Sequence, residues 1–456
     1  GAWTSVDLTE HSLRLIDELD PTVGAFVVVN HELARTAAAK ADADFAAGVD
    51  VGPLQGIPFA LKDILATVDA PSTANSRILD PAWGDGFDAV VSERVRAAGA
   101  VLVGKLVLSE FALGPPDPAT GFPIPKNPWD LDRTPGGSSS GTGIAVSAGM
   151  ILGGLGTDTG GSVRFPAAAN GHSGLKVTYG LVPKWGCVPL GYSLDSIGPM
   201  ARSAMDCAAI LDVIAGSDER DPTAVEVIVE PALPRIEQGI VGTRIGVPRD
   251  YFFDPEIVAP SVLEATEEML AILAEAGAEI VDVDLPHAAL AKEANTLTMV
   301  CEAFAYHRMD MASERWTEYG SGTRRIIARG ALYSAADYVQ AQRFRSWFAR
   351  KTAEVMTDVD LLVTPTWPSS AQLSADMDME KRLTQPSFTG PFNLLGYPAL
   401  SLPIGFDELG MPLSGQIAGR PFEEHLVLRA GHVYQNHTDW HLAVPPIAAE
   451  SMAMAV

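Results

Sequence analysis

Apolar and polar positions follow two rhythms along this chain, one helical and one extended. Residues 31–48 are Ala-rich with scattered charges and predict a surface helix. Gly56-Ile57-Pro58-Phe59-Ala60-Leu61 is a short apolar run that predicts a buried strand ending at Lys62-Asp63. A helix over Ala89 to Ala98, a strand over 100–103 and a further helix near 107–113 follow. The apolar stretch from Ile144 to Leu155 predicts a buried helix. Further on the pattern predicts a helix at 203–214, a Pro- and charge-rich loop at 216–240, a strand at 244–247, a helix at 261–276 and a strand at 279–283. Residues 288–358 read as mostly helical, 361–363, 399–403 and 416–418 as late strands, and a helix follows Glu423. Alternation of this kind predicts a layered α/β fold with one continuous sheet and no internal repeat.

Between these elements lies the stretch that carries chemistry. Thr134-Pro135-Gly136-Gly137-Ser138-Ser139-Ser140-Gly141-Thr142-Gly143 is followed by Gly156-Thr157-Asp158-Thr159-Gly160-Gly161-Ser162-Val163-Arg164-Phe165-Pro166. Glycine at this density costs chain entropy and is expected where backbone must approach a ligand or take positive φ. Serines in such turns are displayed beside free N–H groups, which is what an oxyanion hole requires. A flexible linker would not place a buried apolar segment between its halves.

Three blocks, 56–63, 135–139 and 156–164, in this order and with Ser162 lying 24 residues after Ser138, identify the chain as resembling the amidase signature family. Weaker family-like stretches, such as Asp195-Ser196-Ile197-Gly198-Pro199-Met200 and Gly396-Tyr397-Pro398-Ala399, extend the likeness along most of the chain. The resemblance implies a single domain over 1–456, with a mixed, mostly parallel sheet covered by helices on both faces. Its core would lie at about 52–200, with 216–360 a mostly helical insertion over the sheet. It also implies Ser162 as nucleophile, Ser138 as bridging serine after a cis Gly137–Ser138 peptide, and Lys62 as base. The N–H groups of Thr159, Gly160, Gly161 and Ser162 would form the oxyanion hole. Ser139 would position Lys62, Asp158 and Arg164 would brace the loop, and Phe165 and Gly137 would meet the substrate.

The chemistry is coherent on its own terms. A serine hydroxyl needs an adjacent base. Lysine serves only when neutral, so its pKa must fall from about 10.4, as burial would make it do. A hydroxyl both donates and accepts, so Ser138 can relay a proton from Ser162 to Lys62 and back to a leaving amine. No metal and no cofactor is required.

Other patterns do not compete. Gly137-Ser138-Ser139-Ser140-Gly141 fits G-x-S-x-G but lacks the apolar strand that motif needs. Ser173-Gly174-Leu175-Lys176 fits S-x-x-K without its partner motifs, and 156–162 lacks the lysine of a phosphate loop. His432, His437 and His441 have no carboxylates in register for a metal.

Composition narrows partners. A net charge of −25 argues against nucleic acid and anionic membrane, leaving a small amide and water, with a homodimer open. Three widely spaced cysteines and no leader-like start fit a cytoplasmic protein. The proline-rich segment 115–125 and Phe165 suggest an apolar substrate: neutral aryl or alkyl amides, carbamates or esters. The alternative is the glutaminase-type A subunit of a tRNA-dependent amidotransferase.

Overall fold

Residues 3–377 and 385–453 are described in the computed structural model of the protein. Its strands are β1 (Phe26–Val29), β2 (Pro58–Lys62), β3 (Val101–Leu106), β4 (Gly153–Asp158), β5 (Ser173–Lys176), β6 (Ser196–Ala201), β7 (Arg244–Val247), β8 (Glu279–Asp282), β9 (Leu361–Pro365), β10 (Ala399–Phe406) and β11 (Pro412–Gly419). They form one 11-stranded sheet in the order β1-β3-β2-β4-β6-β5-β10-β11-β9-β7-β8. Short helical turns aside, the helices are α1 (Ser5–Val23), α2 (His31–Ala46), α3 (Val90–Ala97), α4 (Ser140–Ser147), α5 (Arg164–Asn170), α6 (Ala204–Ile214), α7 (Pro260–Glu275), α8 (Ala288–Met311), α9 (Ser321–Gly330), α10 (Ala335–Val355), α11 (Gly390–Leu395), α12 (Glu424–Gln435) and α13 (Pro446–Ala453).

The central strands read as unbroken apolar runs because both of their faces are covered. Successive side chains point to opposite faces. Phe59 and Leu61 of β2 join the larger core cluster, whereas Ala60 between them joins a smaller one with Leu13 and Ile16 of α1 and Ile144 of α4. Leu102 of β3 divides from Val101 and Val103 in the same way. Residues 216–360 supply β7 and β8 as well as helices, and β7 joins the sheet through β9.

The sheet is mixed, but not mostly parallel. Pairs β2–β3, β2–β4, β7–β8 and β7–β9 are parallel. The pairs β1–β3, β4–β6, β5–β6, β5–β10, β10–β11 and β9–β11 are antiparallel and outnumber them. The parallel majority was expected from the resemblance, and parallel neighbours need a crossover between them. Instead β10 and β11 form a hairpin, and β5 and β6 are added with no helix between them.

Two predicted helices take other forms. Residues 107–113 hold only a three-residue turn, Glu110–Ala112, with Phe111 and Ala112 at φ 50° and 60°. There the Ser109 N–H donates to the Ser138 carbonyl and the Phe111 N–H to the Ala74 carbonyl, so tertiary bonds replace helical ones. The run from Ile144 to Leu155 divides into the end of α4 and the start of β4, with Gly149 at φ 70° between them.

Candidate active site

Strand β2 ends at Lys62, β4 lies beside it in parallel, and Leu61 is in register with Leu155. The end of β4 and the turn that follows therefore stand next to Lys62. Ser138 and Ser139 precede α4, and the Gly137–Ser138 peptide is cis. Three elements distant in sequence thus meet at one end of two neighbouring strands.

Lys62 is fully buried. Its Nζ lies 2.7 Å from Ser138 Oγ, 2.9 Å from Ser139 Oγ and 2.7 Å from Thr157 Oγ1. All three partners are hydroxyls. Burial disfavours the ammonium and draws the Lys62 pKa down to about 7, against a weaker upward pull from Cys187, Asp158 and Asp195. Ser139 is itself fixed. Its Oγ receives the Thr157 N–H at 3.2 Å and donates to the Thr157 carbonyl at 3.3 Å.

Ser138 and Ser162 open on the same cavity, together with Gly160, Phe165, Leu113, Met299 and Trp367. No hydrogen bond joins Ser138 to Ser162 among the described residues. The Phe165 and Trp367 rings pack at a centroid distance of 5.0 Å and form an apolar wall. Gly137 is not among the residues lining the cavity; a Cβ there would sit 3.2 Å from Ser109 Oγ.

The turn from Asp158 to Arg164 is held from behind. Burial alone would raise the Asp158 carboxyl, but the Arg164 guanidinium and the Asn393 amide hold it far below the usual carboxylate range. Arg164 Nε and Nη2 each donate to Asp158 at 3.1 Å, and Asn393 Nδ2 donates at 2.7 Å. The remaining guanidinium donors reach Gln416 Oε1 at 2.6 Å, Asn393 Oδ1 at 2.6 Å and the Thr389 carbonyl at 3.1 Å. A buried pair so fully bonded is tolerated where a bare one would not be.

That network corrects one expected role. The Gly161 N–H donates to Asp158 Oδ1 at 2.8 Å, so it turns away from the cavity and is not free for an oxyanion. Gly161 has φ 129°, and a Cβ there would overlap Thr389 Oγ1 and the Phe165 ring. Its glycine is needed for fit. The N–H groups of Thr159, Gly160 and Ser162 have no acceptor among the described residues.

Two positions were not singled out from sequence. Thr157 supplies the third hydroxyl around Lys62. Asp195, buried, accepts from Thr159 Oγ1 at 2.5 Å and from the N–H groups of Leu190 and Gly191 at 2.9 and 3.0 Å. Both lay within quoted family-like blocks, but their side chains reach the site only through the pairing of β4 with β2 and β6. Ser140 opens α4, and Lys176 donates to the Val177 and Tyr397 carbonyls, apart from the cavity.

The model of the family described as Amidase matches residues 7–428. The A subunit of glutamyl-tRNA(Gln) amidotransferase of Chloroflexus aurantiacus is 41% identical over 98% of this chain and 96% of its own length. The solved structure of the A subunit of glutamyl-tRNA(Gln) amidotransferase from Thermotoga maritima is 35% identical with a TM-score of 0.80, covering 93% of this chain and 90% of that one. A chain from a vestigial protein complex that bears on the origins of an s-triazine catabolic enzyme is 33% identical with a TM-score of 0.88, covering 96% of each. The curated relatives overturn the expectation of a hydrolase of neutral aryl or alkyl amides, carbamates or esters. They equally overturn a partner set restricted to a small molecule with no nucleic acid. The structure supplies a reason: the proline-rich segment 115–125, on which the apolar reading leaned, does not line the cavity. It packs instead against Arg77, Gly24 and the start of α9. Net charge misled because it describes the whole surface and not the face that meets a partner. Among the described residues no helix is long and apolar enough to cross a membrane.

Proposed function

This chain belongs to the amidase family, whose chemistry is hydrolysis or transfer at amide carbon–nitrogen bonds, and from that premise we propose that it is the A subunit of a tRNA-dependent amidotransferase. In this role it hydrolyses the side-chain amide of L-glutamine, and the ammonia released is used by partner subunits to amidate glutamyl-tRNA in the cytoplasm. The observation that carries the reading is the 41% identity to such a subunit over nearly the full length of both chains.

In this reading neutral Lys62 takes the Ser138 proton as Ser138 takes that of Ser162, and Ser162 Oγ attacks the amide carbon. The N–H groups of Thr159, Gly160 and Ser162 receive the oxyanion. The proton returns through Ser138 to the leaving nitrogen, which departs as ammonia and leaves an acyl ester on Ser162. Water then enters by the same relay and releases glutamate. Ser139 and Thr157 position Lys62, and Asp158 with Arg164 holds the turn.

The test is glutamate and ammonia formation from L-glutamine by the chain assembled with its partner subunits, alongside amidation of glutamyl-tRNA. Both should occur and both should vanish in Ser162→Ala. Untouched glutamine beside rapid turnover of unrelated amides would remove the proposal.

A further inference from the structure

The turn that carries the nucleophile is gripped at each of its carbonyls. Among the described residues the only cis peptide is Gly137–Ser138, so every plane from Thr159 to Val163 is trans, with its carbonyl and the following N–H on opposite sides. Whatever holds a carbonyl therefore aims the N–H behind it. The Gly161 carbonyl accepts from the Phe165 N–H at 2.6 Å and the Ser162 carbonyl from the Ser139 N–H at 3.2 Å, both donors lying within the Gly/Ser-rich blocks themselves.

The other two carbonyls are held from outside those blocks. Thr389, fully buried just before α11, donates its hydroxyl to the Gly160 carbonyl at 2.7 Å. A hydroxyl has one proton, so the Ser387 hydroxyl at 3.1 Å acts as donor to Thr389 and leaves that bond intact. The other end of the same peptide is the Gly161 N–H, bound to Asp158. Arg164 ties the two ends together by donating to both Asp158 and the Thr389 carbonyl. Glycine on each side makes this plane the easiest in the turn to rotate, and one network fixes it at both ends. Asn295 of α8 is 3% exposed, and its Nδ2 donates to the Thr159 carbonyl at 3.3 Å. On the far side of that plane is the Gly160 N–H, which has no acceptor among the described residues and belongs to a residue lining the cavity.

We propose that Thr389 and Asn295 are positioning residues for the oxyanion site: they hold two carbonyls of the turn back, so that the Gly160 N–H stays aimed at the atom where charge develops. The inference rests on Ser162 as the nucleophile and not on glutamine as the substrate. No hydrogen bond joins either side chain to Lys62, Ser138 or Ser162 among the described residues, so their loss should leave proton transfer alone.

A fluorophosphonate reads the oxyanion site without the natural substrate. Ser162 Oγ bonds to phosphorus, fluoride leaves, the serine proton passes through Ser138 to Lys62, and the phosphoryl oxygen takes the place of the oxyanion. Mass spectrometry follows the Ser162 adduct against time and reagent concentration. Thr389→Val and Asn295→Leu keep the volume and remove the donor, and each should lower the maximal labelling rate by about 10- to 100-fold. The half-saturating concentration should hold, and the rate should still level off near pH 7, as Lys62 dictates. Thr389→Ser, which keeps the hydroxyl, should restore most of the rate. Alanine replaces valine or leucine in a variant that does not fold. An unchanged maximal rate in either donor-less variant, an equal loss in Thr389→Ser, or a loss confined to the half-saturating concentration would overturn the inference. An unsubstituted chain with no Ser162 adduct would remove the nucleophile and this inference with it. Labelled Ser162 beside untouched glutamine would remove the glutaminase reading and leave this one standing.

Discussion

Lys62 Nζ stands 2.7 Å from Ser138 Oγ, and none of its three hydrogen-bond partners carries a charge. A lysine paired with a carboxylate would stay protonated. One surrounded by hydroxyls and walled off from water releases its proton near neutrality. The rate of acylation should therefore rise about tenfold per pH unit in acid and level off near pH 7, as Lys62 becomes neutral. A profile of kcat/KM between pH 5 and 9 checks this. A rate that falls as pH rises through this range would contradict it.

Lys62→Met tests the same burial through stability. The Lys62 pKa falls from 10.5 in the open chain to about 7 in the fold, so the unfolded chain binds more protons between these values and wild-type stability gains as pH rises through that window. The destabilisation is complete below about pH 7 and fades toward 10.5. The variant's stability relative to wild type should thus be greater at pH 6 than at pH 9, by about 3 kcal/mol. Denaturant titration of both proteins at the two pH values reads the difference; an unchanged or reversed gap refutes it.

Thr157→Val removes one acceptor from Lys62 while keeping the volume. That hydrogen bond favours the charged form, so its loss should move the acid limb of the pH profile to lower pH. Loss of aim should lower kcat by about 10-fold or more, with little change in KM. A variant with wild-type kcat and an unmoved profile would remove Thr157 from the positioning of Lys62.

The buried pair behind the turn is open to a direct test. Asp158→Asn leaves the Arg164 guanidinium fully buried with no counter-charge among its described partners, Gln416, Asn393 and Thr389. The expected loss is about 3–5 kcal/mol, seen as a lowered midpoint in thermal or urea unfolding. A loss below about 1 kcal/mol would show that the neutral bonds alone hold the turn.

Much of this was legible in the residues because the chemistry sits where local pattern is strongest. The strand ending at Lys62, the two Gly/Ser turns and the strands at 244–247 and 361–363 follow from apolar runs and glycine density. What escaped depends on pairing between distant segments. Ser173–Lys176 and Ser196–Ala201 hold Ser, Gly and Pro in place of β-branched runs and become strands only because β4 and β10 flank them. The Gly161 N–H is directed by Asp158, a preference invisible in the spacing of glycines. Lys292 and Asn295 line the cavity from a helix whose sequence gives no sign that it does so. Substrate class was misread because a proline-rich segment near Leu113 in sequence lies away from the cavity in space.

The most direct measurement is covalent labelling with a diazoketone analogue of glutamine, which places an electrophilic carbon where the scissile amide would sit. After proteolysis and mass spectrometry, the adduct should fall on Ser162 at one per chain, and L-glutamine should slow its formation. An adduct on another residue, or labelling that an unrelated aryl amide suppresses and glutamine does not, would contradict the account.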